Sequence, residues 1–157
     1  MSFTKVYDGS NAITLKGHWT ACLYGEDGSL KQEVSGYNVI TDNGKEFLAN
    51  FLSSASTGAS TFTMRYIAVG TDSTAEAASN TALGTEISRH TGTASYGSGA
   101  IYSVVATFAA GSGTGAIVEY GLFSTSNAGT MLARDVEAVI NKGASDTLSV
   151  TYNVTLL

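Results

Sequence analysis

The chain contains no proline, so its turns must be made by glycine, asparagine, aspartate and serine. Proline is one of the residues that protect exposed sheet edges against pairing with other chains. Charge is also scarce, because only 13% of the residues are Asp, Glu, Lys or Arg. A β-rich fold built from this sequence would therefore have edges that packing or other subunits must cover.

Positive charge is too scattered to form a nucleic-acid site. The formal net charge is -5, and binding to a phosphate backbone requires clustered Lys and Arg. The eight basic residues are distributed along the chain: Lys5, Lys16, Lys31, Lys45, Arg65, Arg89, Arg134 and Lys142. We therefore expect no nucleic-acid partner.

Cysteine and long apolar runs are also missing. Cys22 is the only cysteine, which excludes an internal disulfide and a cysteine cluster for zinc. No run approaches the ~18 apolar residues of a membrane-spanning helix. Residues 1–8 lack the basic and apolar regions of a signal peptide. We expect no membrane partner and synthesis in the cytoplasm.

Hydroxyl residues and alternation dominate what is present. Ser and Thr supply about a quarter of the chain, and residues 150–157 alternate between apolar and polar side chains. Val150, Tyr152, Val154 and Leu156 share one face, which is typical of a half-buried strand. This strand reaches the end of the sequence, where chains are usually polar and frayed. We expect it to pair within its own sheet or with a neighbouring subunit.

Similar patterns recur at short intervals and predict a mainly β fold, an antiparallel sandwich or barrel-like domain with seven or eight strands. The other predicted strands are residues 16–24, 30–40, 62–69, 101–109, 116–123 and 131–140. Residues 81–89 fit either a helical turn or an extended segment. Residues 90–99 are rich in Gly, Ser and Thr and predict a loop, while 111–115 predict a hairpin-type loop.

One short α-helix is predicted over residues 42–53. Asp42 or Asn43 can cap it, and Glu46 follows Asn43 at the spacing of a capping box. Apolar side chains then recur at helical spacing and form a single stripe: Phe47, Leu48, Phe51 and Leu52. We divide the chain into an extended N-terminal arm or edge strand, residues 1–16, and one β-sandwich domain, residues 17–157.

Histidine and cysteine do not form a recognisable catalytic or metal-binding set. His18 and His90 have no partner at a metal-ligand spacing. Cys22 lies within a strand, without a helix N-terminus to lower its pKa, so a small buried hydrophobic role is favoured. A surface or hydrogen-bonded role is favoured for both histidines.

The carboxylates and glycines also form no recognisable catalytic or ligand-binding motif. Asp135 and Glu137 are two residues apart and should share a strand face, where solvation is the favoured interpretation over catalysis or calcium binding. The glycine loop at 111–115 lacks the Lys and the following helix of a phosphate-binding loop. We predict no catalytic, cofactor-binding or metal-binding residue, and no enzyme activity.

Six segments, taken in order, resemble a family of small β-rich virion structural proteins of tailed bacteriophages. They are residues 39–49 (VITDNGKEFLA), 65–71 (RYIAVGT), 81–89 (TALGTEISR), 119–123 (EYGLF), 131–134 (MLAR) and 148–152 (LSVTY). The resemblance covers residues 39–157 and leaves the first 38 residues outside it. It implies a non-enzymatic component of a phage particle, located in the head, a head fibre, the tail or the baseplate.

Within that resemblance we expect a capsid decoration (cement) protein that binds the assembled head lattice as a homo-oligomer, with a homotrimer favoured. Its partners would be its own subunits and the major capsid protein or other virion proteins, and its location the virion. The candidate assembly contacts are Phe3, Val6, Tyr7 and Tyr96. The alternative is a tail, baseplate or fibre component that helps adsorption to the host and contacts glycans through tyrosines.

Overall fold

Nine β-strands and one helix make up the parts of the chain that the computed structural model describes, residues 14–53, 64–97 and 99–157. The strands are β1 (Leu15–Tyr24), β2 (Leu30–Ile40), β3 (Tyr66–Gly70), β4 (Glu86–Thr91), β5 (Thr93–Gly97), β6 (Ile101–Phe108), β7 (Gly115–Phe123), β8 (Met131–Lys142) and β9 (Thr147–Leu156). The helix, α1, is Asp42–Ser53. The predicted mainly β fold with one short helix is confirmed.

All nine strands form one antiparallel, nearly closed barrel-like sheet in the order β4-β3-β7-β8-β2-β1-β9-β6-β5. The sheet has two halves, which share β2 at a corner. We call them the β9 half-sheet (β5, β6, β9, β1 and β2) and the β7 half-sheet (β2, β8, β7, β3 and β4). β2 pairs with β1 along most of its length but with β8 only through Val39 and Ile40. A strand that passes from one half-sheet to the other makes the corner of an orthogonal packing.

On the opposite side, the two end strands of the sheet are consecutive in the chain. Only Gly92 separates β4, which pairs with β3, from β5, which pairs with β6. The Gly92 amide donates to the Arg65 carbonyl at 2.6 Å. A Cβ atom at Gly92 would lie 2.5 Å from Val104 Cγ1, so the bend between β4 and β5 requires glycine.

The core fills the space between the half-sheets. Alternate residues of β1 and β9 point into it, including Trp19, Leu23, Val150 and Tyr152, all at most 2% exposed. The Trp19 ring stacks on Tyr120 of the β7 half-sheet with 4.1 Å between ring centroids. This stack is one of the contacts that join the two half-sheets.

The terminal strand lies in the interior of its own half-sheet. β9 pairs with β1 on one side and with β6 on the other, over most of its length on both sides. The alternation predicted at residues 150–157 holds through Val154, while Leu156 is 45% exposed. The predicted pairing is therefore confirmed, and the partners belong to the same chain.

Two local predictions differ from the structure, and one that was left open is decided by it. Residues 90–99 are not simply a loop, because they contain the end of β4 and all of β5. These strands were not predicted, because their hydroxyl-rich side chains lack the apolar alternation that is typical of a half-buried strand. The loop at 111–115 does not close a hairpin, because β6 and β7 lie in different half-sheets. Residues 81–89, left open between helix and extended chain, contain the start of β4.

The helix is capped by a residue that the sequence interpretation passed over. The Thr41 hydroxyl accepts a hydrogen bond from the Gly44 amide at 3.0 Å and donates to the Met131 carbonyl. Thr41 therefore occupies the N-cap position, and Asp42 is the first helical residue rather than the cap. A carboxylate in the first helical turn still interacts favourably with the helix dipole.

Candidate functional site

The predicted assembly contacts fall in two regions. Tyr96 lies on β5 and is 81% exposed. Its neighbour across the ladder is Tyr102, whose side chain is half-buried and donates to the Met64 carbonyl at 2.7 Å. Paired residues point to the same side of a sheet, so Tyr96 points to the side of β5 that faces the core. The described residues leave it uncovered there. Phe3, Val6 and Tyr7 lie outside the described residues.

Strand β5, at one end of the sheet, lacks the features that usually prevent an edge strand from pairing with another chain. Its sequence, Thr93 to Gly97, has no charge and no proline, and four of its five residues are exposed. Its ladder to β6 has no bulge. Charged side chains, prolines and bulges are the usual protection of a sheet edge. Within the described ranges no strand pairs with the other edge of β5.

The outer side of the β9 half-sheet is rich in hydroxyls and nearly uncharged. Register places Thr20, Thr151, Val105 and Thr93 in one row across four strands. The adjacent row runs through His18, Asn153, Ser103 and Ser95. We call this surface the hydroxyl face. No described element packs over it, and its polar groups are suited to hydrogen bonding rather than to apolar burial.

One aromatic residue stands at the β2 margin of the hydroxyl face. Tyr37 is 78% exposed, and its ring meets His18 edge-on with 5.3 Å between centroids. Exposed tyrosines are enriched in protein interfaces and can stack on sugar rings. Tyr37 and Tyr96 thus lie on β2 and β5, at opposite margins of the same half-sheet.

Asp135 is buried, which corrects the expectation of a solvated strand face. Only 1% of it is exposed, and Trp19 Nε1 donates to its Oδ2 atom. Burial, followed by smaller contributions such as the nearby Glu137 carboxylate, raises the pKa of Asp135 to about 6. The hydroxyls of Tyr120 and Tyr152 are also buried and have no hydrogen-bond partner among the described residues. Burial, with a contribution from Asp135, raises the pKa of both tyrosines.

A bulge in β8 begins at Glu137, directly after Asp135 and Val136, and Glu137 is exposed. In β8, residues 137–139 lie opposite the single residue Val118 of β7. The two carboxylates still approach the same point, because a Cβ atom at Gly36 would lie 2.8 Å from Glu137 Oε1 and 3.3 Å from Asp135 Oδ2. They therefore share a side of β8, as the sequence predicted, and the expected solvation holds for Glu137 but not for Asp135.

An ion pair beneath the β3–β4 loop was not recognised from sequence. Glu119 and Arg134 are 0% and 2% exposed, and Arg134 donates to Glu119 Oε2 at 2.9 Å. Glu119 also accepts backbone hydrogen bonds from Asp72, Gly84 and Thr85. The pair therefore fastens the loop, residues 71–85, to the outside of the β7 half-sheet. Arg134 directly precedes Asp135, but the two side chains lie on opposite faces of β8.

The remaining candidate residues have structural partners. His90 Nε2 lies 2.7 Å from the Ser112 hydroxyl, and no carboxylate of the described residues is bonded to its ring. Cys22 is half-buried on the hydroxyl face rather than in the core, and its thiol donates to Glu33 at 3.6 Å. Burial and the Glu33 carboxylate raise the pKa of this thiol, which disfavours the reactive thiolate.

Metal-binding and membrane-spanning features are not found in the described part of the chain. No three His, Cys, Asp or Glu side chains come together there as a set of metal ligands. The 12-residue helix α1 lacks the length of a transmembrane helix. No family model, curated protein or solved structure matches the chain.

Proposed function

We propose that this protein is a non-enzymatic structural component of a bacteriophage particle, and specifically a capsid decoration protein that binds the assembled head lattice as a homo-oligomer. The six sequence segments between residues 39 and 157 support the phage assignment. The observation that carries the assembly role is the unprotected edge of β5 with the exposed Tyr96 beside it.

The mechanism is addition of a strand to a preformed sheet edge. Backbone hydrogen bonds along β5 would supply affinity, and the Tyr96 ring would supply apolar contact with the incoming subunit. Because the edge is uncharged, two identical chains can approach it without like-charge repulsion. A protein that binds only the assembled lattice stabilises that lattice by linkage.

The mass of the purified protein in solution tests whether it assembles into a homo-oligomer. We expect sedimentation of the purified chain to give a homo-oligomer, with a trimer at three times the 16.2 kDa of one chain. A lysine at Ala94 (A94K) should dissociate it, because a charge on an edge strand opposes pairing. Lysine at Ser126, in the exposed turn between β7 and β8, is the matched control. A monomeric wild type, or an A94K variant with the wild-type mass, would contradict assembly through β5.

Particle imaging tests the location. Phage particles made without the protein should lack density that repeats over the head and should lose thermal stability of the capsid. Unchanged head density with unchanged thermal stability would end the decoration hypothesis.

The exposed Tyr37 favours one alternative, a tail, baseplate or fibre component that contacts host glycans. Stacking of Tyr37 and Tyr96 on sugar rings would then carry adsorption. We would expect low copy number at the tail and glycan-array binding that is lost in a Tyr37→Ser variant. Many copies distributed over the head would exclude it.

A further inference from the structure

Strands β2 and β8 separate beyond a short ladder, and two carboxylates lie where they do so. β2 pairs with β8 only through Val39 and Ile40, so Asp135 and Glu137 of β8 have no ladder partner on β2. A Cβ atom at Gly36 of β2 would lie 2.8 Å from Glu137 Oε1 and 3.3 Å from Asp135 Oδ2. Because Gly36 carries no side chain, both carboxylates border the same space.

No cation of the described residues compensates this pair. Asp135 is 1% exposed, and its hydrogen bonds come from neutral donors, the Trp19 indole and one backbone amide. Neither acid takes part in an ion pair of the described residues, and Glu76 of the β3–β4 loop adds a further negative charge near Asp135. The two donors stabilise ionised Asp135, but a buried carboxylate without a counter-charge costs free energy, which a bound cation would offset.

Two buried hydroxyls on the interior side of the pair also lack a partner. Tyr120 is the cross-strand neighbour of Asp135, so their side chains point to the same side of the sheet. Tyr120 and Tyr152 are 0% exposed, and neither hydroxyl makes a hydrogen bond among the described residues. Burial raises the pKa of Tyr120, and the Asp135 and Glu137 carboxylates add to this, so its hydroxyl lies within electrostatic range of both. A hydroxyl oxygen without a hydrogen bond keeps lone pairs that can face a cation.

We propose that Asp135 and Glu137 bind a hard metal cation, with Ca²⁺ as the best fit, in the space beside Gly36, and that the Tyr120 hydroxyl is a neutral ligand from the interior side. A separation of 2.8 Å from a carboxylate oxygen is too short for a methyl group, whereas Ca²⁺ binds oxygen at about 2.3–2.6 Å. Glu137 is exposed, so the ion can enter beside it and water can complete the flexible oxygen shell that Ca²⁺ accepts. Mg²⁺ demands a stricter octahedron and fits such a site less well.

The site differs from a dedicated metal centre, because only two acidic side chains take part and the remaining ligands are neutral. The sequence favoured solvation for both acids, and it is the burial of Asp135 without a counter-charge that favours an ion. Affinity for Ca²⁺ falls as the number of charged ligands falls. We therefore expect weak binding, with half-saturation at about 0.1–1 mM.

Thermal melting of the full-length protein tests the site, after bound metal has been removed with a chelator and at pH 8, well above the pKa of about 6 of Asp135. Millimolar CaCl₂ should raise the melting temperature above that in NaCl of equal ionic strength, because an ion that binds only the folded chain stabilises it. MgCl₂ should act more weakly. Emission of Trp19, the only tryptophan of the chain and a donor to Asp135, should change with the same half-saturation.

Three variants make the test specific. Asp135→Asn and Glu137→Gln should each lose the rise in melting temperature with CaCl₂, because each removes one charged ligand. Glu33→Gln removes an exposed acid from the outer face of β2 and should keep the rise. A wild type that melts at the same temperature in CaCl₂ and NaCl, a rise that persists in Asp135→Asn or Glu137→Gln, or an equal response to MgCl₂ would overturn the calcium site.

Discussion

At the residue scale, Asp135 shows how a buried acid couples stability to pH. Its neighbours include one neutral donor, the Trp19 indole, and two tyrosine hydroxyls that make no hydrogen bond among the described residues. A carboxylate that loses its hydration without gaining a cation is less stable than the neutral acid. Folding therefore favours protonated Asp135, and the ionised form strains the native state.

The sign of the pH dependence follows from the raised pKa. Asp135 contributes stability that is fully present below about pH 4, the range of an unfolded aspartate, and that is lost as pH rises through about 6. We expect Asp135→Asn to raise the free energy of unfolding at pH 8 by up to about 3 kcal/mol and to leave it nearly unchanged at pH 4. Urea denaturation at the two pH values measures the difference.

Asp27 provides the matched comparison for this prediction. It accepts hydrogen bonds from the Ser29 hydroxyl and amide, which lower the pKa of Asp27 in an exposed turn. Ionised Asp27 stabilises the folded state, whereas ionised Asp135 destabilises it. Asp27→Asn should therefore give no gain in stability at pH 8. An equal gain in both variants would show that general charge reduction, rather than burial of Asp135, is responsible.

At the scale of single elements, the β3–β4 loop depends on one buried ion pair. Arg134 donates to Glu119 and also to the Asn80 side chain at 3.1 Å, while the Ala78 carbonyl of the same loop accepts from the first amide of α1. The loop thus connects the outside of the β7 half-sheet with the start of the helix. Removing one member of such a pair leaves the other as an uncompensated buried charge.

We expect Glu119→Gln to lower the free energy of unfolding by about 3–5 kcal/mol, because Arg134 keeps its charge and loses its buried carboxylate partner, while the partly exposed Asp72 remains 3.8 Å away. Lys45→Met is the control, since Lys45 and Asp42 form an exposed ion pair whose loss should cost about 0–1 kcal/mol. Chemical denaturation compares them. Similar losses in the two variants would contradict the anchoring role of Glu119.

The bend between β4 and β5 gives a second prediction at this scale. Gly92→Ala should lower the free energy of unfolding by about 1–3 kcal/mol, because its Cβ would collide with Val104 and with the Val105 carbonyl. Gly97→Ala, at the other end of β5, meets nothing closer than 3.7 Å and should be tolerated. Thermal melting of both variants measures the contrast, and equal melting temperatures would refute it.

At the scale of the whole molecule, β9 holds the sheet together. It lies between β1, from the start of the described chain, and β6, from its middle. Contacts between residues so distant in sequence form slowly, because long loops must close first. Strand β9 completes the β9 half-sheet because it pairs with both β1 and β6.

Deletion of residues 150–157 should abolish folding, because β1 and β6 would lose their common partner and the core would lose Val150, Tyr152 and Val154. Deletion of Leu157 alone, which is 60% exposed, should leave the folded state intact. Circular dichroism and thermal melting distinguish the two. A shortened chain without residues 150–157 that still melts cooperatively would show that the sheet closes without β9.

The sequence predicted those elements whose side chains carry their own periodicity. Alternation located β1, β2, β6 and β9 closely, and the apolar stripe located α1 over residues 42–53. It missed β5, where exposed hydroxyl residues carry no such alternation, and it missed the bulge at residues 137–139 of β8. It also gave no sign of the Glu119–Arg134 pair, whose partners lie 15 residues apart on adjacent strands.

The sequence by itself determined the β class, the single helix and the inward face of each alternating strand, because these depend on local periodicity and propensity. Tertiary structure alone decided which strands are neighbours, that Gly92 joins the two ends of the sheet, and that Asp135 is buried beside Trp19. The reason is physical. Burial and pairing are set by residues distant in the chain, and a strand pattern records which face is apolar but not what it packs against.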